Sequence, residues 1–213
     1  MSGTVLIIGA GGHAKVAIEL LLDANCNLTG ILDADPSPRT VLGVPVLGND
    51  ELLPTLRSQG RTHAFVAVGD NALRLRLAQR VEAAGFVLVN AISRQAIISP
   101  SAKIGRGVAI MPGAIINAGA VVEDLVIVNT GAIVDHDCTL EEACHIGPGA
   151  ALAGGVRIGH QAFVGIGARA IPGITVGPRS QIGAGAAVCA DIPSDVLALG
   201  VPARVLRPVR SAT

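Results

Sequence analysis

Residues 146–165 read IGPGAALAGGVRIGHQAFVG, and a branched aliphatic side chain recurs in them at every sixth position. The same spacing extends from Ile98 to Val188 without a gap, and only Ala170 departs from the Ile, Leu or Val rule. Four residues after each of these positions comes a second small or aliphatic residue. A period of six fits neither an α-helix nor a chain of hairpins, and short nested repeats of this kind are typical of a parallel β-helix.

Three hexads make one triangular coil, so the repeats predict slightly more than five coils, stacked at about the 4.8 Å spacing of β-strands. The aliphatic residue of each hexad points inward, and Gly, Asn, Asp or Pro supplies the turn between two sides. The predicted interior is a continuous aliphatic ladder. It agrees with a chain that has no Trp, no Tyr and only 3 Phe.

The composition excludes several classes of partner. Sixteen basic and 16 acidic residues cancel, which leaves no electrostatic footprint for nucleic acid or for an anionic membrane. Charged residues interrupt every apolar run before it reaches the length of a membrane-spanning segment. The N-terminus lacks the basic residues with which a signal peptide begins. The 4 cysteines show no paired spacing. We therefore expect a cytoplasmic protein with structural thiols, without a metal and without nucleic-acid or membrane partners.

The N-terminal residues have a different pattern, in which residues 5–8 read as a buried strand, 9–15 as a glycine loop and 16–22 as a helix. Glycines at such a place let backbone N–H groups approach a phosphate. Gly9, Gly11 and Ala14 also satisfy the dinucleotide fingerprint, with Asp33 near the expected distance. Only about 90 residues are present, which is room for one mononucleotide half, so a mononucleotide is a better prediction than NAD. An ordinary glycine turn is the alternative.

Further strands are predicted at residues 28–32, 63–68 and 86–89, and a helix at 73–84 with an Arg- and Gln-rich outer face. Asn117 and Asn129 read as turn residues, although a contact to a sugar or to a neighbouring subunit is the alternative. Asp191-Ile192-Pro193 is predicted to end the prism, because proline cannot continue a strand ladder.

Hexads of the form Ile-Gly-x-x-Ala-x, as at residues 146–151 and 158–163, resemble those of the hexapeptide-repeat acyltransferases. With the preceding Gly-x-Gly-Gly-His-x-Lys of residues 9–15, the chain is similar to the nucleotide-sugar acetyltransferases that modify 4-amino-4,6-dideoxy sugars and to the related sialic acid O-acetyltransferases. The GDP-perosamine N-acetyltransferases are the nearest group, through the residues at 33–36, 69–71 and 129–132.

The resemblance implies the fold class and the domains. Residues 1–92 are expected to form an α/β nucleotide-sugar-binding domain with a small parallel sheet, a Rossmann-like half. Residues 93–192 are expected to form a left-handed parallel β-helix, and 193–213 a C-terminal tail. The left hand rests on the resemblance alone, since the general preference of crossover connections is right-handed.

On the prism surface, His136 and Asp137 fall outside the apolar ladder, and three hexads beyond His136 comes Gly154, predicted to stack directly over it. Acetyl transfer from a thioester to an amine needs a base, a carboxylate that orients it and an N–H group for the oxyanion. These three residues have the right chemical types. A solvated turn histidine is the alternative, but the resemblance favours His136 as general base, Asp137 as its orienting partner and Gly154 as the amide donor.

The resemblance also implies binding residues. Gly11, Gly12 and His13 would lie by the diphosphate and ribose, although His13 is equally well explained as a polar residue near a helix start. The ribose or base would meet Asp33 and Asp35, and the pocket's other wall would consist of Gly69, Asp70 and Asn71. The cofactor contacts implied are His145, Gly154, Ile166, Ala184 and Arg204. Arg207 is a second candidate for the cofactor phosphates, and a solvated basic tail is the alternative for both arginines.

The implied function is N-acetylation of the 4-amino group of a nucleotide-linked 4-amino-4,6-dideoxy sugar, with GDP-perosamine as the best match and acetyl-CoA as co-substrate. The amine would attack the thioester directly. A homotrimer with coenzyme A between two prisms, and a role in O-antigen or lipopolysaccharide biosynthesis, are implied as well. The alternatives are a sialic acid O-acetyltransferase, a UDP-linked 4-amino-sugar N-acetyltransferase, a non-catalytic sugar-nucleotide binding protein and a nucleotide-dependent oxidoreductase.

Overall fold

The computed structural model describes residues 4–209, and the chain divides into two compact units, Met1–Arg94 and Gln95–Thr213. The first unit contains a six-stranded sheet in the order β3-β4-β2-β1-β5-β6, parallel except for the β3–β4 hairpin. Its elements are β1 Thr4–Ile8, α1 Gly12–Asp23, β2 Asn27–Leu32, β3 Thr40–Val41, β4 Val44–Gly48, the 3₁₀ turn Asp50–Leu52, α2 Leu53–Ser58, β5 His63–Val66, α3 Asn71–Ala83, β6 Val87–Leu88 and β7 Ala91–Ile92.

The apolar run of β1 lies at the centre of this sheet, where Leu6 and Ile7 are fully buried. The predicted strand–loop–helix order is confirmed there. The hairpin and α2, within residues 39–62, were not predicted. The helix predicted at 73–84 spans Asn71–Ala83, and its predicted outer face carries the exposed Arg76, Gln79 and Arg80, whereas Arg74 is buried at 1% exposure.

Most of the second unit consists of two-residue strands spaced six residues apart. From β10 onward the second residue of each is buried in the prism, and the first is on the opposite face of the strand, where Ala109, Ile127 and His145 are buried as well. The strands are β8 Ile97–Ile98, β9 Lys103–Ile104, β10 Ala109–Ile110, β11 Ile115–Ile116, β12 Val121–Val122, β13 Ile127–Val128, β14 Ile133–Val134, β15 Thr139–Leu140, β16 His145–Ile146, β17 Ala151–Leu152, β18 Arg157–Ile158, β19 Phe163–Val164, β20 Arg169–Ala170, β21 Thr175–Val176, β22 Gln181–Ile182 and β23 Ala187–Val188. They are followed by β24 Val196–Leu199 and β25 Arg204–Pro208.

These strands form the three faces of a prism. Face 1 contains β10, β13, β16, β19, β22, β24 and β25; face 2 contains β8, β11, β14, β17, β20 and β23; face 3 contains β9, β12, β15, β18 and β21. Each strand pairs in parallel with the strand three hexads later, as Ile115 does with Ile133 and Ile127 with His145. The fold class, a small α/β sheet followed by a left-handed β-helix, is confirmed.

The prism extends past Pro193, where the sequence predicts its end. β24 pairs in parallel with β22, but Ile182 meets Ala198, which comes two positions sooner than a full step of three hexads. Buried Ser180 bridges the irregular stretch, because its hydroxyl donates to the Pro193 carbonyl at 2.6 Å and accepts from the Val196 N–H at 3.1 Å. β25 then folds back antiparallel on β24. Across residues 4–209, no helix has the length and apolar character needed to cross a membrane.

Candidate active site

His136 lies in the turn that connects β14 on face 2 to β15 on face 3, a position we call the His136 corner. Its side chain is 61% exposed. The inward-pointing Val134 and Leu140 on either side are buried, and the hexad spacing thus holds the imidazole outside the aliphatic core. Asp137 adopts a left-handed backbone conformation at φ 59°, which aspartate tolerates better than most residues.

The two side chains form a base–carboxylate pair. Nδ1 of His136 and Oδ2 of Asp137 are 2.8 Å apart. Ionised carboxylate oxygens only accept, so Nδ1 carries the proton and Nε2 is the basic nitrogen of the neutral ring. The hydrogen bond to Asp137, and after it the charge of Asp135, raises the pKa of His136 above 6.5. Among the described residues, no protein group hydrogen-bonds to Nε2.

A second carboxylate, that of Asp135, stabilises this turn. Oδ1 of Asp135 accepts the backbone N–H of His136 at 2.8 Å and the side-chain amide of Asn117, one coil earlier, at 2.8 Å. The Asn117 hydrogen bond, followed by that of the His136 N–H, lowers the pKa of the Asp135 carboxyl. Asn117 is therefore more than a turn residue. Its spacing of one full coil from Asp135 is a signal that the sequence already contained.

Gly154 lies beside the imidazole, as the period of three hexads predicts. A methyl group placed on its Cα would sit 2.5 Å from Nε2 and Cε1 of His136, and the Gly155 N–H donates to the His136 carbonyl at 2.9 Å. Within residues 4–209 the N–H of Gly154 has no acceptor. A basic nitrogen and an unused amide donor therefore share one solvent-accessible corner, which is the arrangement that acyl transfer requires.

The other cofactor candidates lie elsewhere on the same prism. His145 is in β16 on face 1, nearly buried, with its ring edge against Phe163 at a centroid distance of 5.1 Å. Nε2 accepts from the side-chain amide of Asn129 at 3.0 Å, which places a ring proton on Nδ1. Ile166 and Ala184 are exposed in the turns that follow β19 and β22 on the same face, which we call the Ile166 corner.

Arg204 begins β25, which also belongs to face 1, and both Arg204 and Arg207 are exposed. A single chain thus brings His136, Asp137 and Gly154 together at one corner. It holds the remaining predicted cofactor contacts on another face. Asn129 is the turn residue that the sequence favours, since its side-chain carbonyl accepts the Thr130 N–H at 2.8 Å, and its side-chain amide also contacts His145, which was not predicted.

In the first unit, the glycine loop leaves an open approach to the start of α1. Gly9 has φ 101°, and a side chain there would meet Val68 at 2.9 Å. A methyl group on Gly11, Gly12 or Gly69 would have no neighbour within 4 Å. Gly11 caps α1 without a side-chain hydrogen bond. Bare backbone donors at the N-terminus of a twelve-residue helix are a suitable site for a phosphate.

The two predicted aspartates organise the loop that follows β2. Asp33 accepts the Ala10 N–H at 2.7 Å through Oδ2, and through Oδ1 the Asp35 N–H at 3.0 Å and a guanidinium nitrogen of Arg39 at 3.1 Å. Asp35 is exposed, and hydrogen bonds from Ser37, led by its hydroxyl, lower the pKa of its carboxyl. Both carboxylates therefore hold the loop in shape, and Asp33 links it directly to the glycine loop.

Near His13 lies a buried arginine, Arg74, that was not predicted to belong to the site. Nε2 of His13 is buried and has no hydrogen-bond partner among the described residues. Burial, and then the positive charge of Arg74, lowers the pKa of His13 from 6.5 to about 4, so the ring is neutral at pH 7. Arg74 donates to the carbonyls of Val68 and Gly69 at 3.1 Å and to the Asn71 side chain at 2.8 Å.

Through these hydrogen bonds Arg74 holds residues 69–71 in place, the segment predicted to form the other wall of the nucleotide site. Asp70, in the same segment, accepts the Leu73 N–H at 2.8 Å and is the N-cap of α3, so its carboxylate has a structural role. The sequence did contain a signal for Arg74: with Ala78 and Val81 it occupies positions i, i+4 and i+7, the buried stripe of α3.

The chain is similar in sequence and structure to several known proteins. Residues 4–81 match the family described as the PglD N-terminal domain. A histidine-to-asparagine mutant of perosamine N-acetyltransferase from Caulobacter crescentus, solved with CoA and GDP-perosamine, is 54% identical; the match covers 96% of this chain and 97% of that one, with a TM-score of 0.94. The acetyltransferase domain of PglB from Neisseria gonorrhoeae, in complex with acetyl coenzyme A, is 40% identical over 97% and 100% of the two chains, with a TM-score of 0.90.

The curated relatives match over shorter segments. UDP-N-acetylbacillosamine N-acetyltransferase of Bacillus subtilis is 38% identical over 111 residues, which are 50% of this chain and 50% of that protein. An uncharacterised protein of Acanthamoeba polyphaga mimivirus is 34% identical over 103 residues, which are 48% of this chain and 20% of that protein. The chain therefore spans half or less of the length of the curated relatives it matches.

The two histidines are expected to titrate in opposite directions from the ordinary value of 6.5, and NMR of the imidazole carbons measures both. His136 should remain protonated above pH 6.5, and Asp137→Asn should bring its pKa down, because the largest stabilising contact of the imidazolium is removed. His13 should titrate near pH 4 in both proteins. The control is Asp124→Asn, which removes a carboxylate two hexads before His136 and should leave the His136 pKa unchanged. If the His136 pKa is also unchanged in Asp137→Asn, the proposed pairing of His136 with Asp137 is wrong.

Proposed function

The chain belongs to the family of hexapeptide-repeat nucleotide-sugar N-acetyltransferases, and we propose that it transfers the acetyl group of acetyl-CoA to the 4-amino group of a GDP-linked 4-amino-4,6-dideoxy sugar, with GDP-perosamine as the best candidate. The observation that carries the proposal is the position of His136, whose unpaired Nε2 lies against Gly154 at an exposed corner. The relative solved with CoA and GDP-perosamine supports the choice of substrate.

The roles of the residues follow from their chemistry. Nε2 of His136 removes a proton as the sugar amine forms its bond to the thioester carbonyl carbon, and Asp137 keeps Nδ1 protonated so that Nε2 is the base. The Gly154 N–H donates to the oxyanion of the tetrahedral adduct. Collapse of the adduct breaks the C–S bond, and the imidazolium returns its proton to the departing thiolate. The raised pKa of His136 makes Nε2 a stronger base for the first step, which requires a pH above that pKa, and makes the imidazolium a weaker acid for the return.

In the first unit, the open N–H groups at the start of α1 are assigned to the diphosphate. The neutral His13 ring carries a buried nitrogen with no partner among the described residues, and such a nitrogen is costly to leave unsatisfied. A phosphate or ribose oxygen provides the missing contact. Arg74 holds the adjoining wall in place, and burial together with the charge of Arg74 keeps His13 neutral.

A homotrimer is part of the proposal. His136 and Gly154 occupy one corner of the prism, whereas His145, Ile166, Ala184 and Arg204 belong to face 1 and the Ile166 corner. If all of them serve one reaction, a neighbouring copy has to bring the second set to the first. Face 2 offers an aliphatic surface next to the His136 corner, because Ile97, Ile115 and Ile133 stack in register and face outward. Such a surface favours packing of identical prisms.

Four free cysteines favour a reducing compartment such as the cytoplasm. The resemblance to GDP-perosamine N-acetyltransferases favours a role in O-antigen or lipopolysaccharide biosynthesis, where a glycosyltransferase would consume the acetylated sugar nucleotide.

His136→Asn is expected to reduce the rate of acetyl transfer to GDP-perosamine by about 10²- to 10⁴-fold, the usual contribution of a general base. Thiol release from acetyl-CoA measures the rate. In the parent protein kcat should rise with pH through the raised pKa of His136, and the variant should lose this dependence. His160→Asn, an exposed histidine at another corner, should leave the rate unchanged. A fully active His136→Asn protein would remove the proposed base.

Ile133→Lys is expected to prevent assembly, because the row of isoleucines on face 2 would then have to bury an unpaired ammonium group. Sedimentation should give three times the chain mass for the parent and a smaller mass for the variant, with acetyl transfer lost. Leu22→Lys, which adds the same charge at an exposed aliphatic side chain of α1, should still form trimers. Full activity from a single prism would contradict the assignment of cofactor contacts to a second copy.

A further inference from the structure

The first unit contains a cavity of about 140 Å³ whose function the glycine loop does not explain. It lies beyond the carboxyl ends of β1 and β2, at the edge of the parallel sheet where ligands bind in folds of this kind. Ile8 and Leu32 line one part of it, and Val68, Leu73 and Leu77 another. These aliphatic walls suit the two faces of a flat heterocycle.

Only two polar side chains line the cavity, and both are carboxylates. Asp33 is fully engaged, since both its oxygens accept hydrogen bonds within the loop. Asp50 is different. Its Oδ2 is 2.6 Å from a guanidinium nitrogen of Arg80, which orients the group, whereas Oδ1 has no partner within residues 4–209. The Asp50 side chain is only 24% exposed. A partly buried carboxylate with an unused oxygen thus faces a cavity whose walls are mostly aliphatic.

We propose that this cavity holds the base of the sugar nucleotide and that Asp50 selects guanine, by accepting hydrogen bonds from its N1–H and its 2-amino group. The inference rests on the proposed function, and it names the residue that sets the base specificity of that reaction. The location is consistent with one bound nucleotide, because Gly9 lines the cavity and also begins the loop that leads to the phosphate site at α1.

The choice of guanine follows from donor and acceptor patterns. An ionised carboxylate can only accept hydrogen bonds. Guanine presents two adjacent donors, N1–H and the 2-amino group, which match the two oxygens of a carboxylate, and such charge-assisted pairs are among the stronger hydrogen bonds. Uracil and thymine present one N–H between two carbonyl oxygens, and those oxygens would be repelled by Asp50. Adenine has an acceptor, N1, at the position where guanine has a donor.

Nucleotide binding measured by calorimetry on the full-length protein tests the proposal with GDP, UDP and IDP, which share the diphosphate. IDP retains N1–H but lacks the 2-amino group. The parent protein should bind GDP about 10- to 100-fold more tightly than UDP and about tenfold more tightly than IDP. Asp50→Asn should weaken GDP binding by about 10- to 100-fold, retain or strengthen UDP binding because the repulsion of the uracil carbonyls is removed, and abolish the difference between GDP and IDP.

Two further variants test whether the effect is specific to Asp50. Arg80→Gln, which removes the group that orients Asp50, should produce a smaller loss of GDP affinity in the same direction. Glu19→Gln, an exposed carboxylate of α1 outside the cavity, should bind all three nucleotides as the parent does. Retained UDP binding by Asp50→Asn shows that the variant's first unit is folded.

Equal affinity of the parent for GDP and UDP, equal affinity for GDP and IDP, or unchanged GDP binding by Asp50→Asn would each overturn the assignment of Asp50. If the parent nevertheless acetylates a nucleotide-linked amino sugar, the proposed function stands and only the base assignment fails. Absence of both nucleotide binding and acetyl transfer would overturn the two together.

Discussion

The parallel hydrogen-bond ladder between successive coils is the constraint on which the structure depends. Each two-residue strand must pair with its counterpart one coil later, since a slip of one residue would turn the inward aliphatic residues outward. The same register aligns the turns of adjacent coils. A polar residue in one turn therefore lies beside a known residue of the next, which is how Asn117 comes to support Asp135 and how His136 comes to lie against Gly154.

The two units place their histidines in opposite electrostatic environments. His136 is exposed and has a carboxylate on each side of it in sequence, so its pKa is raised. His13 is held near a buried arginine, and its pKa falls to about 4. The first is suited to taking and returning a proton, and the second to a fixed hydrogen bond in its neutral form. These properties follow from burial and neighbouring charge, and neither requires a metal.

Much of the prism could be predicted from sequence because its period is short, gapless and tied to a single physical rule. That rule also gave the position of Gly154 relative to His136. The six-residue period did not predict that the step from β22 to β24 is two residues shorter than a full coil. That change depends on a local contact, the hydrogen bond from the Ser180 hydroxyl to the Pro193 carbonyl. In the first unit, the glycine loop between the first strand and the first helix could be predicted from the sequence. Arg74 was missed although its place on the buried stripe of α3 can be seen in the sequence spacing, and Asp50 was missed because the cavity that it lines forms only when the unit folds.

The contact between the imidazole and a bare glycine is the central claim, and acetyl transfer by Gly154→Ala tests it most directly. The backbone of Gly154 is not in the left-handed region, so alanine should fold normally, and the atoms nearest to its methyl group belong to the exposed ring of His136. We expect thiol release to fall by about 10²- to 10⁴-fold, because the methyl group displaces the general base while the backbone N–H is retained, with an unchanged melting temperature. A Gly154→Ala protein that transfers acetyl groups at the parent rate would contradict the account.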